Sequence, residues 1–145
     1  MTATTTDQTT EEVRRFLADL YDTFSTGDAA AWTDRITRAH EPVVIGTDPE
    51  EFWDEREHLV ATVRAQAASM AASGVQVRAG TPRIDHHGDV AWIADEPTMT
   101  LADGRRIRMR LTAVLVREED GWRHAQVHLS VGHPNEHMLD LALPV

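Results

Sequence analysis

The sequence predicts an α+β domain, with helices at its amino-terminal end and an antiparallel sheet after them. Three observations carry this. Up to Ser73 the apolar residues recur at helical three- and four-residue steps. After Gly74 the pattern changes to strand-like alternation, punctuated by Gly88, Asp103-Gly104 and Asp120-Gly121 as turn signals. No strand–helix–strand repetition appears, which separates the chain from parallel α/β folds.

Residues 1–8 are small and polar and read as a disordered tail. Thr9 stands three residues before Glu12, the spacing of a capping box. Val13, Phe16, Leu17, Leu20, Tyr21 and Phe24 then form one apolar helix face, and Gly27 supplies a left-handed stop. Asp28 can cap a short second helix carrying Ala31, Trp32 and Ile36. Pro42 breaks the helical pattern, and Val43, Val44 and Ile45 make a short strand ending at Gly46. Asp48-Pro49-Glu50-Glu51 has an Asp cap, proline at the first helical position and acids in the first turn. The expectation is a long helix from there to Ser73, with Phe52, Trp53, Leu59, Val60 and Val63 on it or its approach. Strands are expected over 75–85, 89–98, 106–118 and 122–131. The domain should cover 9–135, leaving a tail at 136–145 whose apolar stretch, Met138 to Leu143, packs on the body or on a partner subunit.

Composition limits the chemistry. The 145 residues fit one domain and contain no cysteine, which removes thiolate nucleophiles, cysteine-bound zinc and iron–sulfur clusters. All 14 basic residues are arginine, so lysine Schiff-base chemistry and a P-loop lysine are excluded. A formal charge of −10 argues against nucleic acid and anionic membranes as partners. The amino terminus has neither the basic patch nor the apolar run of a secretion signal, so a cytoplasmic location is expected. The absence of lysine points to a high-GC bacterial genome.

Alternation sorts the strand residues onto two faces. Trp122, His124, Gln126, His128 and Ser130 share one face of the last strand, opposite Arg123, Ala125, Val127, Leu129 and Val131. On the preceding strand Arg108, Arg110, Thr112, Val114 and Val116 oppose Met109, Leu111, Ala113 and Leu115. Before that, Val90, Trp92, Ala94, Glu96 and Thr98 oppose Ala91, Ile93 and Asp95. Each strand therefore has an apolar face and a mixed face bearing tryptophan, arginine, histidine and glutamate. The mixed face suits a ligand pocket with convergent polar groups. It also suits a subunit interface, where Trp and Arg are enriched.

Several segments occur together in a familiar order: Phe24-Ser25-Thr26-Gly27-Asp28 with Trp32, then Val44 to Glu50, Gly88 to Trp92, Arg110 to Val114, Asp120-Gly121-Trp122 and His128 to Val131. In this order the chain resembles the SnoaL-like group of the nuclear transport factor 2-like superfamily, over residues 10–135. The resemblance implies a cone, in which a bent antiparallel sheet wraps a long helix around a pocket. It implies a homodimer through the outer sheet face. It also implies a small-molecule ligand and, in the enzymes of the group, acid–base chemistry without a cofactor. With the resemblance, the mixed face is expected inside, and Leu111, Leu115, Val127 and Leu129 partly in a dimer contact.

Candidate chemistry follows from that placement. His128 has a side chain suited to general base catalysis near neutral pH, against a packing role. Arg110 could hold a ligand carboxylate or enolate, or pair with Glu96. Glu96 could serve as acid or base if desolvated. Trp92, Trp53 and Tyr21 could wall a flat aromatic ligand, with Thr112 and Gln126 beside them; Tyr21 equally belongs to the first helix stripe. The expected reaction class is a cyclisation, isomerisation or dehydration of a hydrophobic or aromatic metabolite. A noncatalytic binding or oligomerisation module is the alternative. Neither metal nor cofactor is expected: His124 and His128, four apart on a strand, would stand about 13 Å apart.

Overall fold

The computed structural model describes residues 5–145, with side chains from Gln8 onward. The chain runs α1 (Thr5–Thr26), α2 (Ala30–Thr33), β1 (Val43–Ile45), β2 (Phe52–Trp53), α3 (Arg56–Ala72) and β3 (Gln76–Arg78). It continues β4 (Arg83–His87), β5 (Val90–Asp95), β6 (Thr98–Thr100), β7 (Arg106–Arg108), β8 (Arg110–Glu118), β9 (Gly121–Ser130) and α4 (Asn135–Leu139). The first helix begins at Thr5, ahead of the expected cap at Thr9; residues 1–4 of the expected tail lie outside the described residues. Thr9 is buried inside the helix instead.

Six strands form the main sheet in the order β2-β1-β9-β8-β5-β4, antiparallel throughout except for the parallel pair β1–β9. A small sheet, β3-β6-β7, stands beside it. Three of the expected strands each divide between the sheets: the one expected over 75–85 separates into β3 and β4, and two others break later in the chain. β5 gives way to β6 at Glu96-Pro97, and β7 gives way to β8 at Met109. Proline cannot donate to a ladder, so Pro97 interrupts pairing, and its carbonyl accepts a hydrogen bond from Met109 N (2.9 Å). Both strands break at one level, and this bends the sheet around α1 and α3.

The apolar stripe of α1 (Val13, Leu17, Leu20 and Tyr21) is buried on the sheet. Its floor is the apolar strand face: Ala91 and Ile93, Leu111, Ala113 and Leu115, and Val127. This reverses the expected arrangement. The apolar face lies inside and the mixed face outside, because α1 and α3 carry apolar stripes that must find an apolar floor.

A second departure is the helix expected from Asp48. Asp48 to Glu51 form the turn of a β1–β2 hairpin, with Ile45 opposite Phe52 and Val44 opposite Trp53. Asp48 accepts a bond from Glu50 N (2.9 Å), so the expected helix cap closes a turn. The helix itself starts at Arg56 and ends as expected, with Gly74 at φ +73°.

A β-bulge makes the third departure. The register of β8 and β9 shifts between Val114, opposite Gln126, and Leu115, opposite His124. Ala125 is the extra residue, and it turns His124 and Trp122 onto the inner face. His124 is fully buried, 4.2 Å from the Trp32 ring centroid, and its Nε2 donates to the Trp32 carbonyl (3.2 Å). Burial, with smaller contributions from the Arg35, Arg123 and Arg56 charges, outweighs that bond and brings its pKa down from 6.5 to about 4. The unfolded chain takes up this proton between pH 6.5 and 4, whereas the folded chain stays neutral. Stability is therefore expected to fall as pH drops through that window, by about 3 kcal/mol in all. Urea unfolding at pH 7 and pH 4.5 measures this, and in His124→Phe the slope should flatten.

Candidate functional site

Between α1, α3 and the inner sheet face lies a chamber of about 180 Å³. Leu20, Tyr21 and Phe24 contribute from α1, and Gln66 and Met70 from α3. The sheets supply Val44, Ile45, Leu111, Val127 and Leu129, and the small sheet and its junction add Val77, Met99 and Met109. Trp32, Thr47 and Glu51 complete it. Methionines are flexible and polarisable, so this wall can adapt to a ligand's shape. An engineered apolar cavity of roughly 150 Å³ accepts benzene, so the volume here suits one ring with a short substituent.

Four polar side chains, Tyr21, Thr47, Glu51 and Gln66, break the apolar lining. Glu51, at the end of the β1–β2 turn, is half-buried. Its Oε1 accepts from Gln66 Nε2 (2.6 Å) and its Oε2 from Asp48 N (3.0 Å). Each oxygen keeps a lone pair for another donor. The carboxylate occupies the space where a side chain on residue 46 would begin, so Gly46 is required for its position. Gly46→Ala should displace the carboxylate and also lower stability, because the new methyl would meet Glu51 Cβ at 2.9 Å as well as the carboxylate. Thermal unfolding and ligand titration of that variant test the two halves of this statement.

Across the chamber, Tyr21 donates its hydroxyl to Asp95 Oδ2 (2.8 Å), which also accepts Gly80 N (3.2 Å). Asp95 is 6% exposed, and its Oδ1 has no hydrogen-bond partner among the described residues. Burial and the adjacent Asp95 carboxylate push the Tyr21 pKa far up, so the phenol keeps its proton and acts as a hydrogen-bonding group.

The residues expected from the sequence to form a site lie mostly outside this chamber. His128, Arg110, Thr112, Gln126 and Trp92 share the outer face. Thr112 stands opposite His128 and Arg110 opposite Ser130, and these four line one open depression. Trp92, Thr112 and Gln126 join Arg83 and Asp85 along a wider groove of about 440 Å³. The alternation thus grouped these side chains as the structure does, but on the solvent side. Glu96 is exposed and pairs with Arg108 (3.5 Å), not Arg110. Trp53 is buried in the core outside the chamber lining. Tyr21 alone among them reaches the chamber. The outer groove is the larger space, but it lies open on the sheet surface, where water competes for every hydrogen bond. The chamber, walled by helices on one side and sheet on the other, can desolvate a ligand.

Glu51, Gln66 and Asp95 were not singled out as site residues by the sequence. Glu51 reads as a first-turn acid until the hairpin is known. Asp95 did carry a signal: a carboxylate in register with Ala91 and Ile93 on an apolar face must have a partner inside.

Among the described residues no helix is long and apolar enough to cross a membrane. None of the curated proteins matches this sequence. Solved structures do. A candidate dehydratase of the nuclear transport factor 2-like family from Streptomyces avermitilis is 20% identical, covering 88% of this chain and 98% of its own, with a TM-score of 0.70. A nuclear transport factor 2-like protein of unknown function from Pseudomonas putida gives a TM-score of 0.79 at 14% identity, covering 94% of each chain. A candidate ketosteroid isomerase from Parabacteroides distasonis gives 0.67 at 15% identity, covering 84% of this chain and 86% of its own. At such identities the likeness speaks for the fold. The sequence itself matches the family model of the SnoaL-like domain over residues 13–134. With that match spanning most of its length, the chain belongs to the SnoaL-like domain family, and its fold is that of nuclear transport factor 2-like structures.

Proposed function

We propose that the chain binds a small, largely apolar metabolite of about one ring in the chamber and acts on it by proton transfer. Glu51 is the acid–base group and Tyr21 the hydrogen-bonding group of the opposite wall. The observation that carries this is the placement of the Glu51 carboxylate on the wall of a mostly apolar chamber. A carboxylate held by only two chain donors can take up a proton and return it. The reaction class is isomerisation, cyclisation or dehydration. The names given to the Streptomyces and Parabacteroides structures, a candidate dehydratase and a candidate ketosteroid isomerase, fall in that class.

Thermal unfolding in the presence of neutral one-ring compounds tests the reading. Compounds that fit should raise the melting temperature of the wild type and of His128→Ala. They should lose that effect in Leu129→Trp, where an indole fills the chamber. Stabilisation that survives Leu129→Trp and disappears in His128→Ala would place the ligand on the outer face and overturn it.

The outer face favours a second role, in assembly. Trp92 is 45% exposed and Val90 40%, on the sheet face that also bears Arg83 and Arg110. Exposed aromatic and apolar groups mixed with arginine are the composition of a protein interface. The expected assembly is a homodimer through this face. Sedimentation should show a dimer for the wild type and a monomer for Trp92→Arg; a monomeric wild type removes this role.

A further inference from the structure

The chamber has one sign of charge. The ionisable groups that line its wall, Glu51 and Tyr21, are acids, with Asp95 behind Tyr21, and His124, behind Trp32, is held neutral by its burial. None of the chain's 14 arginines or 8 histidines lines it. The ion pairs among the described residues leave Glu51 and Asp95 out. No cation on the wall offsets the Glu51 carboxylate, and most of the surface around it is apolar. The hydrogen-bonding balance points the same way. Glu51 accepts one donor at each oxygen and retains lone pairs, and Asp95 Oδ1 has no donor among the described residues. Tyr21 has already committed its one proton to Asp95, so its oxygen offers only acceptance. The wall's own neutral donors are the Gln66 amide, already bonded to Glu51, and the Thr47 hydroxyl, and Glu51 is its one carboxylate.

We infer that the ligand is a one-ring molecule whose polar end is a hydrogen-bond donor, a hydroxyl or an amine, and that carboxylates and phosphates are rejected. This rests on the chamber being the ligand site, as proposed above. It gives that site a selectivity opposite to the one an arginine-lined pocket would have. An anion entering here loses its hydration, meets the Glu51 carboxylate at close range and finds no cation to offset either cost. A hydroxyl or ammonium instead supplies the proton that Glu51 can accept.

The test uses three probes of one skeleton: benzyl alcohol, benzylamine and benzoate. Each is titrated against the full chain at pH 7, with binding read from tryptophan fluorescence, since Trp32 lines the chamber, and from calorimetry. The alcohol and the amine are expected to bind at least tenfold more tightly than benzoate. Glu51→Gln should reduce that preference severalfold or more while retaining alcohol binding, which also shows that the chamber is intact. Glu50→Gln, on the exposed neighbouring residue, should leave all three affinities unchanged. Benzoate binding as tightly as benzyl alcohol overturns the selectivity and leaves the chamber reading standing. So does a preference that Glu51→Gln does not alter. If none of the three probes binds, the chamber reading fails and the selectivity fails with it.

Discussion

Glu51→Gln is expected to lower kcat on a chamber substrate by about 10²–10⁴-fold, the usual worth of a positioned acid–base group. Glutamine keeps the volume of the side chain and an oxygen for the Gln66 amide, so the chamber should stay closed and neutral ligands should still bind. It cannot hold a proton in transit. Its NH₂ group also meets the Asp48 N–H, which now donates to the Glu51 carboxylate at 3.0 Å. The loss should therefore fall on kcat more than on KM, the signature of an interaction made mainly in the transition state. A variant within threefold of wild type in kcat would remove Glu51 from the chemistry. The Gly46→Ala variant should move in the same direction by a smaller amount, because it displaces the carboxylate without neutralising it.

Arg123→Met is expected to cost about 3–5 kcal/mol of folding stability, the range for breaking a buried charge pair from one side. The Arg123 side chain is 8% exposed. It donates to the Asp34 and Ile36 carbonyls and to both oxygens of Asp120 (3.2 and 2.6 Å), and it lies 3.3 Å from Glu118. Glu118 in turn accepts the Thr37 hydroxyl (2.6 Å) and the backbone N–H of Arg38 and Ala39. Burial pushes the Glu118 carboxyl up, but these bonds and the Arg123 charge together hold it below its usual range. Residues 34–39 have few regular backbone bonds to the sheet: Thr37 N to His124 O and His124 N to Arg35 O, both 2.9 Å. Arg123 and Glu118 supply the rest. That segment leads into β1 and so into the turn carrying Glu51, and loosening it should also weaken ligand binding. A loss of this size corresponds to a fall in Tm of about 10–16 °C for a domain of this length. A cost below about 1 kcal/mol would mean that water replaces these bonds.

The first three helices and several turns were legible in the sequence, because each rests on local chemistry, although each of these helices starts away from its expected cap. The α1 stripe, the Gly74 stop and the turns at Gly88, Gly104 and Gly121 needed no tertiary information; all four glycines have positive φ. The site was less legible, for three physical reasons. Alternation says which residues share a face but not which face is inside, and the decision belonged to the apolar floor demanded by α1. The bulge at Ala125 reverses the faces of Trp122 and His124 relative to His128, and no residue in that stretch announces it. Asp48-Pro49-Glu50-Glu51 has the chemistry of a helix start and of a hairpin turn alike, and the pairing of Val44 with Trp53 decided for the hairpin. These together moved the candidate site from His128, Arg110 and Glu96 on the outer face to Glu51 and Tyr21 within.

The most direct measurement of the central claim is a crystal structure of the protein with benzyl alcohol bound. The account predicts the ring between α1, α3 and the inner sheet face, in contact with Leu111 and Leu129, with its hydroxyl donating to Glu51. A molecule seated instead against Trp92, Thr112 and His128 on the outer face, with the chamber closed by its own side chains, would contradict it.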